Sequence, residues 1–86
     1  MFINMSLKSG NKNMWIDEMG DIPEGDFKLD NDQPFMIKNN TEDNIQATVL
    51  LCGNSETITT TFYPGWNPEI VRAVEGAVAG KLQWGV

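Results

Sequence analysis

Residues 45–63 hold two runs of alternating polarity about a Gly-Asn-Ser turn, and that pattern leaves few folds open. In the first run Ile45, Ala47, Val49 and Leu51 alternate with Gln46, Thr48, Leu50 and Cys52. One face is apolar throughout and the other only toward its end, as in a half-buried antiparallel strand. Gly53-Asn54-Ser55 closes a hairpin, because Gly and Asn tolerate positive φ. The second run extends from Glu56 to Tyr63. It places Ile58, Thr60 and Phe62 on one face and Thr57, Thr59, Thr61 and Tyr63 on the other. Threonine at this density favours a strand, since β-branching restricts χ1 and suits a pleated surface. Pro64-Gly65 then turns the chain and presents Trp66.

The flanking sequence extends the same pattern. Phe35 and Ile37 share a face opposite Met36 and Lys38, and Asn39-Asn40-Thr41-Glu42-Asp43 is a polar connection. Residues 17–34 are rich in Asp, Glu, Gly, Asn and Pro and read as loop, with a short strand where Phe27 and Leu29 alternate with Lys28 and Asp30. Met14-Trp15-Ile16 reads as a compact apolar patch and a short strand. Residues 67–80 fit two readings. Asn67-Pro68-Glu69 offers an N-cap, a proline at the first helical position and an acid in the first turn. Against a helix stand Gly76 and Gly80, each costing about 1 kcal/mol in a helix interior. Ile70, Arg72 and Val74 also alternate with Val71, Ala73 and Glu75, and the strand reading is preferred. Leu82, Trp84 and Val86 share a face of a final strand. The predicted fold is all-β: a small antiparallel β-sandwich or barrel over residues 14–86, with an extended amino-terminal arm over residues 1–13.

A chain of 86 residues makes one small domain that buries a modest share of its surface. Such domains are commonly reinforced by disulfides, metals or partner chains. The single cysteine, Cys52, rules out an intrachain disulfide, and the absence of histidine removes the usual soft metal ligands. Association of copies is the supplement left. Three Trp, four Phe and five Met point the same way, because aromatics and Met are enriched at interface cores. The formal net charge is −6, with nine acids against four bases in residues 1–43 and three against two in residues 44–86. An acidic surface argues against a nucleic-acid partner, which draws on clustered Lys and Arg. No run approaches the roughly 20 apolar residues of a membrane helix. The first eight residues are too short and polar for a signal peptide, so synthesis in the cytoplasm is expected.

The candidate reactive groups are weak. Asp30-Asn31-Asp32 with Asp26 offers oxygen ligands, but without the glycine and distant Glu of a calcium loop. Asp17-Glu18 and Asp21 with Glu24 are acid pairs in a domain with little room for a cleft. Cys52 has no histidine to make it a thiolate and is expected to be buried at the apolar end of its strand. No catalytic residue, metal site or cofactor is implied. Trp15, Trp66 and Trp84 are expected at the core and at contacts between subunits, and Thr57, Thr59, Thr61 and Tyr63 on a sheet face that meets a neighbour. A sugar-stacking platform built on exposed Trp66, with Trp15, is the competing reading.

The stretch Gly53 to Val86 carries a G-x-x-E-T-I-T strand, an apolar step at Phe62, the Pro64-Gly65-Trp66 corner, Ile70-Val71-Arg72-Ala73-Val74, a Gly/Ala loop from Gly76 to Gly80 and a closing apolar strand. In this it resembles the small β-sandwich modules at the base of head spikes and fibres in tailed phages and gene-transfer agents. The resemblance implies a non-enzymatic virion protein, a homo-oligomer on a capsid or tail surface that holds a fibre or decorates the shell. Its implied partners are other virion proteins: capsid, fibre or tail subunits.

Overall fold

The computed structural model describes residues 16–86. The expected arm over residues 1–13, and Met14 and Trp15 of the apolar patch, lie outside the described residues. Eight strands follow in order: β1 (Met19–Asp21), β2 (Gly25–Phe27), β3 (Met36–Asn39), β4 (Ile45–Leu51), β5 (Ile58–Phe62), β6 (Gly65–Trp66), β7 (Val71–Ala77) and β8 (Leu82–Gly85). They form two antiparallel sheets of four strands each, ordered β1-β8-β3-β6 and β2-β7-β4-β5. The all-β expectation holds, and the arrangement is two packed sheets. Residues 17–34, read as loop with one short strand, supply an edge strand to each sheet instead. These strands are only three residues long, too short for an alternation pattern to register.

Facing rows of the two sheets make the core. Ile22, Phe35, Ile37, Val49, Phe62, Val71, Val74, Ala77 and Leu82 are buried together. In the second sheet one row crosses all four strands, because Phe27 opposes Val74, Val74 opposes Val49, and Val49 opposes Ile58. Phe27 also meets Phe35 edge-on, with centroids 5.7 Å apart and planes at 72°, an arrangement that adds about 1 kcal/mol beyond area burial.

Within residues 67–80 the chain forms strand β7 over Val71–Ala77, with irregular backbone on either side and no helix. The Asn67 side chain does not cap forward onto a helix. Its Oδ1 accepts from the Tyr63 N–H at 3.0 Å, and its Nδ2 donates to the carbonyls of Tyr63 at 2.9 Å and Gly65 at 3.0 Å. Asn67 thus closes the corner behind it, where the chain crosses from β5 in one sheet to β6 in the other. The glycine that counts against a helix serves β7 directly. At Gly76, with φ 64°, the register with β2 shifts so that both Val74 and Ala77 are buried in the core, a bulge whose positive φ glycine adopts without strain. The Gly76 N–H is satisfied by Asp26 Oδ1 at 2.9 Å.

Cys52 corrects another expectation. Strand β4 ends at Leu51, so Cys52 falls in the turn and is exposed. The apolar run extended one residue past the point at which the chain leaves the sheet.

Candidate interaction surface

Strand β5 is the outermost strand of its sheet and pairs with β4 alone among the described residues. Thr59 opposes Thr48 on the outward face, their hydroxyl oxygens 2.8 Å apart, and Thr61 opposes Gln46 on the same face. Thr57 precedes the strand and is exposed. Tyr63 follows it with a relative exposure of 59%. Its side chain stands in solvent while its backbone is clamped by Asn67. Ile58, at the end of the core row, keeps an exposure of 40%. The structure therefore brings Thr57, Thr59, Thr61 and Tyr63 onto one stretch, and adds Ile58, which the sequence reading had assigned to the inner face.

The tryptophans separate. Trp84 on β8 opposes Ile37 and Gly20 and faces the core. Trp66 opposes Lys38 and lies on the outer face of the same sheet. Both rings are seated on glycine. A Cβ on Gly20 would stand 2.9 Å from three atoms of the Trp84 ring. A Cβ on Gly85 would collide with Cη2 of Trp66 and stand 3.0 Å from Ile16 Cγ2. Strand β8 thus presents Trp84 inward and, one residue later, an open glycine that receives Trp66 from outside. Trp66 and Trp84 form no common stacking platform, and Trp15 lies outside the described residues.

Two buried asparagines hold this region, and only one of them has a signal in the sequence. Asn39 continues the face of Phe35 and Ile37, a polar residue where the alternation predicts an apolar one. Its Nδ2 donates to the carbonyls of Asp43 at 2.8 Å and Phe62 at 3.0 Å, and its Oδ1 accepts from the N–H and the hydroxyl of Thr41, each at 2.8 Å. Every polar atom of this buried amide is engaged, as burial requires. Asn67 has no such signal, because Asn before Pro fits a helix start as well as a turn lock.

An open cleft of about 300 Å³ lies between the start of β4 and the turn after β7, its polar lining drawn from Gln46, Thr48, Thr59, Glu75 and Lys81. No aromatic ring lines it. Of the acidic candidates, Asp26 is engaged with Gly76 and Asp32 with Lys28 at 3.3 Å. Among the described residues no group of three His, Cys, Asp or Glu is placed to hold a metal ion. Comparison with family models, with curated proteins and with solved structures finds no match.

Proposed function

We propose that this chain is a non-enzymatic structural subunit of a tailed-phage type virion, a head spike or fibre base or a shell-decoration protein, that works through protein contacts. The observation that carries the reading is the segment Thr57–Tyr63. It is uncharged, its centre is strand β5 at a sheet edge that pairs with β4 alone among the described residues, and Ile58 and Tyr63 are exposed, in a chain of formal charge −6. Isolated apolar residues on a surface are ordinary. An unprotected edge strand is not, because it templates pairing with another chain. The pattern of residues 53–86 supplies the class of assembly.

The test is co-sedimentation. Phage or gene-transfer particles from a producing culture are banded by density and washed, and the bands are probed with antibody against the chain. The expected result is chain retained in the particle band at a fixed ratio to the shell protein. Chain found wholly in the soluble fractions at the top of the gradient overturns the reading.

A further inference from the structure

The two sheets have four edges among the described residues, and they are not alike. Strand β1 is three residues long, contains Asp21 and follows Glu18. Strand β2 is three residues long, contains Asp26 and is irregular in its register with β7. Strand β6 has two residues, between Pro64 and Pro68. Shortness, charge, irregularity and proline are the devices by which proteins keep sheet edges from pairing. Strand β5 has none of them: five residues, Ile58-Thr59-Thr60-Thr61-Phe62, without charge, proline or glycine.

We propose that β5 pairs edge to edge, antiparallel, with β5 of a second copy of this chain, joining two four-stranded sheets into one. The inference rests on the reading of the chain as an assembly subunit and names its partner and surface. The segment is complementary to itself about Thr60, which selects a second copy as the occupant. Two molecules of charge −6 repel overall, but Thr57–Tyr63 carries no carboxylate to oppose its counterpart. With a two-fold axis at Thr60, Ile58 opposes the partner's Phe62, Thr59 opposes the partner's Thr61, and Thr57 opposes the partner's Tyr63. Glu56 falls opposite the partner's Pro64, so no carboxylate faces another. The core row Phe27–Val74–Val49–Ile58, which now ends in water, continues into the second sheet. Beyond Phe62 the edge is closed, since Asn39 takes the Phe62 carbonyl and Asn67 takes both backbone groups of Tyr63. That closure fixes how far pairing runs.

Sedimentation velocity of the full chain over a concentration series tests this, at about 0.1 M and about 1 M salt, where the Debye length falls from ~10 to ~3 Å. The expected result is a monomer–dimer equilibrium that salt strengthens, because screening removes the repulsion between like-charged copies. Ile58→Lys is compared with Met19→Lys. The two sites have matched exposures, 40% and 43%, and the two changes shift charge equally. Both lower the net negative charge, so a general charge effect would favour association in each. We expect I58K to weaken the dimer about tenfold or more by opposing charge to the apolar row, and M19K to leave it unweakened. Circular dichroism confirms folding of both variants. Thr60→Cys in a Cys52→Ser background is expected to form a disulfide-linked dimer under mild oxidation, while Glu42→Cys in the same background does not. A wild-type monomer at both salts overturns the inference, as does an equal response to I58K and M19K. Either result leaves the virion reading standing if the chain still bands with particles; loss of banding with β5 pairing intact removes that reading alone.

Discussion

The two sheets reach similar burial by different means. The sheet β2-β7-β4-β5 has two strands of seven residues and one of five. Its long ladders set the register, and its outward face of Gln46, Thr48, Thr59 and Thr61 makes little demand on side-chain identity. The sheet β1-β8-β3-β6 has strands of three, four, four and two residues. Short ladders hold poorly by backbone pairing alone. Here individual side chains complete the structure: Asn39 ties β3 to the end of β5, Asn67 locks the corner into β6, and two tryptophans sit on glycines. A sheet of long strands is specified by pattern, whereas a sheet of short strands is specified by particular residues. Substitutions should therefore be costly at the joints of the short-stranded sheet and mild on the long-stranded one.

The largest effect is expected at Asn39. Asn39→Ala removes four hydrogen bonds and strands the Phe62 carbonyl in the interior. Leaving buried polar groups unpaired costs about 1–3 kcal/mol each, and the losses at one side chain are not additive. A destabilisation of about 3 kcal/mol is expected, read as a lower denaturant midpoint in urea unfolding. A loss below about 1 kcal/mol would mean that water replaces the amide and that Asn39 is not a joint.

The same contrast decides what was legible in the sequence. The hairpin β4–β5 follows from alternation over residues 45–63, and strand β8 from Leu82, Trp84 and Val86, because a run of several residues repeats its signal. Strands β1, β2 and β6 repeat nothing. They are strands because a longer neighbour offers them an edge, and that neighbour is distant in sequence: β1 pairs with β8 and β2 with β7. The candidate surface was partly legible. The threonine face is local chemistry, but the openness of the β5 edge depends on which strands take the other positions. Ile58 was assigned inward by its parity, and it does join the inner row. It stays exposed because the row ends there.

A paired glycine test sharpens the comparison at the next level. Gly85→Ala forces the Trp66 ring and Ile16 to move, and overpacking of this kind costs about 1–3 kcal/mol. Gly53, in the hairpin of the other sheet, has nothing within 4 Å of an added Cβ and is not among the positive-φ glycines. Gly53→Ala is expected to be neutral or to stabilise by about 0.4–1 kcal/mol through the unfolded chain. The opposite signs should be visible as opposite shifts in melting temperature. Equal shifts would show that the two sheets tolerate backbone crowding alike and would break the contrast.

The smallest effect is expected on the outward face of the long-stranded sheet. The Thr48–Thr59 hydroxyl contact is 2.8 Å, short enough to be a good hydrogen bond, yet both residues sit on a face open to solvent. Water competes for each hydroxyl, so the pair is worth only about 0.2–1 kcal/mol as a cross-strand interaction. Thr59→Val keeps the β-branch, and hence the rotamer restriction that suits the strand, while deleting the donor and acceptor. The double-mutant cycle with Thr48→Val isolates the pair, and its coupling energy should fall at the low end of that range. A coupling above about 1.5 kcal/mol would mean that the threonine face acts as a joint comparable with Asn39. The long sheet would then also be held by particular residues, and the length of its ladders would not be what makes it tolerant.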